Sequence, residues 1–130
     1  IRMALDEAGY TSDDVLYINA HGTGTALNDV SETAAFKLAL GQDAYKAHVS
    51  SIKGATGHML GAAGAAEALA SVLALKNGVV PPTLNLDEID PECDLDYTPN
   101  TPVKADLTIA ISDSLGFGGH NGCVAFRKLS

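Results

Sequence analysis

The chain has 130 residues, of which 46% are hydrophobic and 18% are charged. These values indicate one globular domain, or part of one, rather than a disordered segment. The formal net charge is −8, with 16 acidic residues against 8 scattered basic ones, which argues against nucleic acid or an anionic membrane as the main partner.

The two cysteines and one apolar stretch bear on the cellular location. Cys93 and Cys123 form no CxxC pair, so we expect a reduced, cytoplasmic protein. Residues 55–75 are apolar enough to suggest a membrane span. They include His58, Glu67 and several glycines, however, so the sequence predicts no membrane-spanning segment.

Helical and strand patterns alternate along the first third of the chain. Residues 1–9 have the pattern of the end of a helix, with Gly9 as its stop, so we expect the chain to be a fragment of a longer protein. Residues 15–20 (VLYINA) are apolar and β-prone, which is typical of a strand covered on both faces. Residues 29–40 predict an amphipathic helix that ends at Gly41. The residues of this helix predicted to face inward are Val30, Thr33, Ala34, Phe36 and Leu38.

The rest of the chain continues the alternation. Residues 47–52 predict a short strand, and residues 57–76 predict an Ala-rich helix, apolar on nearly every side, that should be buried between layers. Residues 79–102 hold all five prolines and predict an irregular connection. Residues 107–112 and 122–126 predict two antiparallel strands joined by a long glycine-rich loop. This order indicates an α/β fold with a mixed sheet of about four strands and a buried Ala-rich helix.

Two glycine-bracketed segments, each following a predicted strand, contain the candidate site residues. The segment NAHGTGTALND includes His21, Thr23 and Thr25, and the segment SSIKGATGH includes Lys53 and His58. Binding groups concentrate on loops fixed by a rigid scaffold, and glycine lets backbone approach a ligand closely. A histidine at the start of a long helix and near an ammonium stays neutral, and its N–H can stabilise an oxyanion. The alternatives are that His21 is a structural histidine and that His58 only caps the helix.

Acidic residues near these segments also have two interpretations. A buried Lys53 would need a carboxylate, and Glu67 in the Ala-rich helix is the expected partner; a solvated Lys53 is the alternative. Asp29 and Glu32 are explained by the helix dipole, since acids stabilise the first turn of a helix. Phe117, in GFGGHNG, is either a mobile aromatic at a site or a core residue.

Several common site patterns are missing from the sequence. There is no GxGxxG after a strand and no GxxxxGK[ST]. No acid or cysteine stands four residues from either candidate histidine, so a zinc site is not indicated. The sequence therefore predicts no cofactor and no bound metal.

Three segments in order closely resemble the C-terminal half of the elongating β-ketoacyl-(acyl-carrier-protein) synthases, the condensing enzymes of fatty-acid synthesis. These segments are NAHGTGTALND, SSIKGATGHMLGAAGAAEA and SLGFGGHNGCVAF. The resemblance covers residues 1–130 and implies a β-ketoacyl synthase C-terminal domain, incomplete at its N-terminus, with half of a thiolase-like fold. It implies fatty-acid elongation by decarboxylative Claisen condensation, in which a malonyl thioester loses CO₂ and the enolate attacks an acyl-enzyme thioester.

The resemblance also implies roles for individual residues. His21 and His58 would donate N–H groups to the malonyl thioester oxygen as it becomes an enolate, and Lys53 would organise the catalytic site. Glu67 would be the carboxylate partner that supports Lys53, and the hydroxyls of Thr23 and Thr25 would bind the pantetheine arm. Phe117 would be the gating phenylalanine beside the nucleophile.

Neither cysteine of the chain suits the role of the nucleophile. Cys93 lies in an acidic, proline-rich loop, which disfavours a thiolate, and Cys123 falls in the predicted last strand. We therefore expect the nucleophile to lie outside this chain and the isolated fragment to be inactive. The resemblance implies acyl carrier protein, with acyl and malonyl phosphopantetheine thioesters, as the partner and a homodimer as the full-length enzyme. The alternatives are a non-catalytic acyl-binding, pantetheine-binding or chain-length partner, and a purely structural half-domain.

Overall fold

A four-stranded mixed β-sheet forms the centre of the protein in a computed structural model that describes residues 1–129. Along the chain, the elements are α1 (Arg2–Glu7), β1 (Leu16–Asn19), α2 (Ala26–Leu40), β2 (His48–Ser50), α3 (Lys53–Thr56), α4 (Ala63–Asn77), β3 (Val79–Val80), β4 (Val103–Lys104), β5 (Ile109–Gly116) and β6 (His120–Arg127). Two 3-10 helices, Gly41–Tyr45 and Leu60–Ala62, follow α2 and precede α4 respectively.

The strand order in the sheet is β2-β1-β5-β6. β1 pairs in parallel with β2 on one side and with β5 on the other, and β5 pairs antiparallel with β6. A separate antiparallel pair joins β3 to β4 within the irregular connection. The predicted α/β class and the mixed sheet of about four strands are therefore confirmed.

Alternate residues of β1 face opposite layers of the fold. All four are buried, because helices cover both faces of the sheet. Ile18 packs in a cluster with Leu5 of α1 and Phe36 of α2, whereas Tyr17 packs with Ala74 of α4. The sheet thus lies between a layer formed by α1 and α2 and a layer formed by α4.

The carboxyl ends of β1 and β2 lie side by side, because the two strands are parallel neighbours. The chain leaves these ends through residues 20–25 and residues 51–58, which are the two glycine-bracketed segments. In sheets of this kind, ligands bind beyond the carboxyl ends of the parallel strands. The topology therefore brings the two predicted site segments together.

The long Ala-rich helix begins later than the sequence pattern predicts. The predicted start was residue 57, but α4 begins at Ala63. The preceding residues form the short α3, which ends at Gly57 with a φ of 73°, and a 3-10 helix. A positive φ terminates a helix and is accessible to glycine. His58 therefore lies in the loop between α3 and the 3-10 helix, and the predicted placement at a long helix N-terminus is wrong.

The hairpin formed by β5 and β6 is longer than predicted. The pattern indicated a long loop over residues 114–122, but the strand pairing continues to Gly116 and His120. Only residues 117–119 form the turn, where Gly118 and Gly119 adopt φ values of 79° and 83°. Glycine accepts these values at little cost, so the glycine-rich segment closes a hairpin tightly instead of forming a loop.

The inward face of α2 differs from the prediction. Thr33 and Phe36 are buried as predicted, but Leu38 is 81% exposed and Ala34 is exposed as well. Each residue of an α-helix advances by about 100°, so Ala34 and Leu38 both lie about 200° from Phe36 around the helix axis. The carboxylate of Glu32 is buried on the inward face instead.

Only one face of α4 is covered by the sheet of this chain. The covered face contains Glu67, Ser71 and Ala74, whereas Leu69 and Leu73 are 60% and 46% exposed. The prediction of a helix buried on nearly every side is therefore wrong for residues 1–129. No helix in that range is both long enough and apolar enough to cross a membrane.

Candidate active site

Two histidines meet beyond the carboxyl ends of β1 and β2. The ring centroids of His21 and His58 are 5.5 Å apart, and the ring planes form an angle of 84°. His21 lies just after β1, and His58 lies just after α3. The structure thus brings together the two candidate histidines that the sequence placed on separate loops.

The backbone at His21 is fixed by a carboxylate from α2. The N–H groups of His21 and Gly22 donate to Oε1 and Oε2 of Glu32 at 2.6 and 2.9 Å. The side-chain amide of Asn28 donates to Oε2 of Glu32 at 3.1 Å. Hydrogen bonds to a charged acceptor are stronger than neutral ones. Glu32 therefore determines where the loop after β1 leaves the sheet.

Glu32 faces a second buried acid. Burial raises the pKa of Glu32 to about 7, and the nearby carboxylate of Asp113 in β5 raises it as well, against the hydrogen bonds that lower it. Burial also raises the pKa of Asp113. Two carboxylates that share a poorly solvated space resist carrying two negative charges. The protonation of Glu32 therefore changes near pH 7.

The electrostatic surroundings of His21 favour the neutral imidazole. Burial, followed by the positive charge of Lys53, lowers the pKa of His21 below its ordinary value of 6.5. Its Nδ1 atom is buried and has no hydrogen-bond partner within residues 1–129. A neutral imidazole offers one N–H donor and one acceptor nitrogen. His21 can therefore act as a donor without adding a charge to the site.

The loop around His58 determines which nitrogen of that ring can donate. The N–H of Leu60 donates to Nδ1 of His58 at 3.2 Å, so Nδ1 serves as an acceptor. In a neutral imidazole, the other nitrogen then carries the proton. His58 is exposed, and its Nε2–H is the group available to a ligand. The alternative that His58 caps the long helix is wrong, since its partner belongs to the 3-10 helix instead.

Lys53 and Glu67 form a buried salt bridge. Lys53 is the first residue of α3, and Glu67 lies on the covered face of α4. Nζ of Lys53 donates to Oε1 of Glu67, and the two side chains are only 6% and 2% exposed. The pairing predicted from the sequence is confirmed, and the alternative of a solvated Lys53 is wrong. Removal of either partner would leave an unpaired charge in the interior, which is strongly destabilising.

A cavity of about 570 Å³ opens beside these side chains. Lys53 and His58 line it, as do the loop that contains Thr23 and Thr25, part of α2 and parts of residues 83–97, whereas His21 is not among the lining residues. The hydroxyls of Thr23 and Thr25 are hydrogen-bonded to each other at 3.0 Å. The volume lies within the range of about 300–1,000 Å³ that is common for small-molecule sites.

Other candidates from the sequence lie apart from the histidine pair. Phe117 is 88% exposed at the tip of the β5–β6 hairpin and is not part of the cavity wall. Cys93 is buried against the cavity. Cys123 is half-buried in β6, and burial raises the pKa of its thiol. Among residues 1–129, no three His, Cys, Asp or Glu side chains are grouped as metal ligands would be.

The arrangement suits a reaction in which negative charge develops on an oxygen. His21 and His58 can present neutral N–H donors, and the ammonium of Lys53 is fixed nearby. Preorganised donors of this type stabilise an oxyanion strongly when water is partly excluded. This arrangement can therefore stabilise negative charge on an oxygen.

The fold is that of the thiolase-like ketosynthases. The ishigamide ketosynthase/chain length factor aligns with a TM-score of 0.92 and 40% identity over 99% of this chain and 32% of that chain. A second structure contains a type II polyketide synthase acyl-carrier protein in complex with its ketosynthase. It aligns with a TM-score of 0.93 and 40% identity over 98% of this chain and 31% of that chain.

The sequence pattern of the family described as "Beta-ketoacyl synthase, C-terminal domain" matches residues 1–87. The chain therefore belongs to the β-ketoacyl synthase C-terminal domain family. It is 52% identical to 3-oxoacyl-[acyl-carrier-protein] synthase 2 of Synechocystis sp. over 98% of this chain and 31% of the relative. It is 56% identical to the tetracenomycin polyketide synthase ketoacyl synthase alpha subunit of Streptomyces glaucescens over 98% of this chain and 30% of the relative. The chain thus spans less than a third of the length of these relatives.

Two residues of the site were missed by the sequence reasoning. Glu32 was explained by the helix dipole, although it lies one residue before Thr33 and four before Phe36, the other two buried residues of α2. An acid on the inward stripe of a helix is a pattern that could have identified it. Ser51, whose hydroxyl donates to the carbonyl of Gly22 at 2.8 Å, had no distinguishing pattern.

Proposed function

We propose that the complete gene product that includes this chain elongates fatty acids as a 3-oxoacyl-(acyl-carrier-protein) synthase. The observation that supports this proposal best is the edge-to-face pair of His21 and His58 beside a cavity and a buried Lys53–Glu67 salt bridge. The reaction is a decarboxylative Claisen condensation between malonyl-(acyl-carrier-protein) and an acyl-enzyme thioester. This chain supplies the decarboxylation part of the catalytic site.

The two histidines act on the malonyl thioester. The bond between the malonyl methylene and the carboxylate breaks, and CO₂ leaves. The electron pair of that bond forms an enolate, whose oxygen accepts hydrogen bonds from the N–H groups of His21 and His58. In comparable oxyanion sites, one such donor contributes about 2.7–4 kcal/mol to transition-state stability. The enolate carbon then attacks the acyl thioester carbonyl, a new C–C bond forms, and the enzyme thiolate leaves.

Lys53 acts as the organiser of this part of the site. Burial and, after it, the charge of Lys53 lower the pKa of His21, so the imidazole remains a neutral donor. Glu67 supports Lys53, because a buried ammonium without a carboxylate would be strongly destabilised. Both side chains lie between α3 and α4. The ammonium of Lys53 is therefore close to the histidines and shielded from solvent.

The substrate arm and the partners follow from the same proposal. Thr23 and Thr25 line the cavity with hydroxyls and bind the pantetheine arm of an acyl carrier protein. Phe117, at an exposed hairpin tip, gates the approach to the nucleophile. The working enzyme is a cytoplasmic homodimer that binds neither nucleic acid nor membranes.

The nucleophilic cysteine lies in another part of the gene product. Cys93 is buried, and burial raises the pKa of Cys123, so neither thiol is suited to accept an acyl chain. Residues 1–130 alone are therefore inactive in condensation. Acylation of either cysteine of the isolated chain by an acyl thioester would contradict this part of the proposal.

The test is the release of CO₂ from malonyl-(acyl-carrier-protein) by the complete gene product. We expect His21→Ala and His58→Ala each to lower the rate by about 10²–10³-fold, the loss typical of one oxyanion donor. His48→Ala is the matched control, because His48 is the first residue of β2, next to Asp96 and at the end of the strand away from the loop that follows Ser50. Retained rates in both variants would overturn the proposal. Binding of acyl carrier protein without any CO₂ release would support a non-catalytic acyl- or pantetheine-binding partner instead.

A further inference from the structure

Ser51 joins the two loops that contain the candidate catalytic residues. Its hydroxyl donates to the carbonyl oxygen of Gly22 at 2.8 Å and accepts the N–H of Lys53 at 3.3 Å. Gly22 directly follows His21, and Lys53 begins the segment that leads to His58. One buried side chain therefore contacts the backbone of both loops.

The contact between Ser51 and Gly22 is unusually close. A Cβ atom added to Gly22 would lie 2.4 Å from Cβ of Ser51 and 2.7 Å from its Oγ. Gly22 also has a φ of 40°, which disfavours any other residue. The distance between the loops after β1 and β2 thus depends on a glycine that leaves room for the serine.

Thr83 fixes Ser51 from the opposite side. Oγ1 of Thr83 accepts the N–H of Ser51 at 3.1 Å and donates to the carbonyl of Tyr97 at 2.7 Å. The backbone of Thr83 is itself bound, since its N–H donates to the carbonyl of Thr98 and its carbonyl accepts the N–H of Asn100, both at 2.9 Å. Thr83 is therefore fixed to residues 97–100 by three hydrogen bonds in addition to its contact with Ser51.

Every hydroxyl in this chain of hydrogen bonds donates once and accepts once. The Thr83 hydroxyl links the Tyr97 carbonyl to the backbone N–H of Ser51. The Ser51 hydroxyl then links the N–H of Lys53 to the carbonyl of Gly22. A hydroxyl has one donor and two acceptor positions, so the direction of each bond is determined by its neighbours. Hydrogen-bond networks of this kind, here partly buried, rigidify the groups they connect.

We infer that Ser51 is a positioning residue for the His21–His58 pair and that Thr83 fixes Ser51 in place. Ser51 and Thr83 line the cavity as well, but their hydroxyls are bound to backbone groups and act through the loops that contain the histidines. The kinetic consequence rests on the proposed function, since a displacement of about 1 Å in a catalytic group can lower a rate about 100-fold. The structural consequence, the contact between the two rings, does not depend on that function.

The variants for the test remove one hydroxyl at a time in the complete gene product. Ser51→Ala and Thr83→Val delete the two hydroxyls, and Thr83→Ser restores the hydroxyl without the methyl group. Ser50→Ala is the matched control, because Ser50 is an equally buried neighbour whose hydroxyl is paired with Tyr17 at 3.0 Å. Thr83→Val leaves Ser51 in place and decides the question if Ser51→Ala fails to fold.

The first measurement is NMR of ¹³C-labelled histidine, which reports the ring-to-ring contact of His21 and His58. We expect Ser51→Ala and Thr83→Val to weaken this contact and shift both ring resonances, and Thr83→Ser and Ser50→Ala to preserve them. Unchanged resonances in both Ser51→Ala and Thr83→Val would overturn the inference, because the rings would then be placed without these hydroxyls.

The second measurement is the rate of CO₂ release from malonyl-(acyl-carrier-protein). We expect kcat to fall about 10- to 100-fold in Ser51→Ala and Thr83→Val with little change in KM, and Thr83→Ser to recover most of the rate. An unchanged kcat in both deletion variants would also contradict the inference. If the unmodified protein releases no CO₂, the proposed function fails, and the NMR contact still decides the role of Ser51.

Discussion

The rings of His21 and His58 meet edge to face with 5.5 Å between their centroids. This contact exists because β1 and β2 are parallel neighbours whose carboxyl ends open on the same side of the sheet. A proton on His21 would place a positive charge next to His58 and close to Lys53, which opposes protonation of a poorly solvated ring.

We therefore expect His21 to titrate below 6.5, the ordinary pKa of histidine, in a ¹³C NMR pH titration. Its folded-state pKa is depressed, so the neutral ring contributes stability above pH 6.5, and that stability is lost as the pH falls further. The double replacement Lys53→Met with Glu67→Leu should raise the pKa part of the way, because burial remains when the charge is gone. A midpoint at or above 6.5 in the unmodified protein would contradict this prediction.

Glu67→Gln should destabilise the fold by about 3–5 kcal/mol, because it leaves the buried ammonium of Lys53 without its carboxylate. The measurement is the free energy of unfolding in urea. The matched control is Asp106→Asn, which removes the partner of Lys128 in an exposed pair with N···O at 3.4 Å. That variant should change the free energy by less than about 1 kcal/mol. Equal effects in the two variants would mean that the Lys53–Glu67 pair is not buried in solution.

The contribution of Glu32 to stability should fall as the pH rises from 4.5 to about 7, opposite in sign to that of His21, because burial raises the pKa of Glu32 from 4.5 to about 7. The folded state then binds one more proton than the unfolded state, and the unfolding free energy declines by about 1.4 kcal/mol per pH unit. Glu32→Gln should flatten this slope. Asp14→Asn is the control: Arg127 holds the pKa of Asp14 at about 2, so its contribution changes only below pH 3.8. A slope that persists in Glu32→Gln would assign the titration to another group.

The isolated polypeptide of residues 1–130 should self-associate, because α4 presents Leu69, Val72 and Leu73 to solvent and contiguous apolar patches promote association. Sedimentation velocity of Leu69→Glu with Leu73→Glu should report a smaller species than the unmodified chain. Leu38→Glu is the control, since this leucine is even more exposed but lies on α2. A monodisperse monomer of the unmodified chain would contradict the prediction.

Gly22→Ala should lower stability by about 1–3 kcal/mol more than Gly24→Ala, because overpacking a tight contact costs about that amount. Both glycines have positive φ, at 40° and 74°, so both variants incur backbone strain. Only the Cβ at Gly22 would clash with Ser51, whereas a Cβ at Gly24 has no atom within 4 Å. Equal losses, measured by thermal unfolding, would show that the contact with Ser51 can relax freely.

Local patterns predicted much of this protein. The apolar run before His21 and the periodicity of residues 29–40 located β1 and α2 to within three residues. The Lys53–Glu67 pair followed from a charge argument, because an acid among small apolar residues requires a cation. Segment-by-segment resemblance then indicated the family that the match over residues 1–87 establishes.

Tertiary structure decided what depends on distances between segments. The start of α4 beyond His58 and the contact of Ser51 with Gly22 have no local pattern. They arise because the strand order β2-β1-β5-β6 places two loops and the first turn of α2 at one edge of the sheet. The sequence by itself determined which residue types the two loops contain. Only the packing of the parallel strands determined that the His21 and His58 rings touch, because contact between loops distant in the chain is a property of topology.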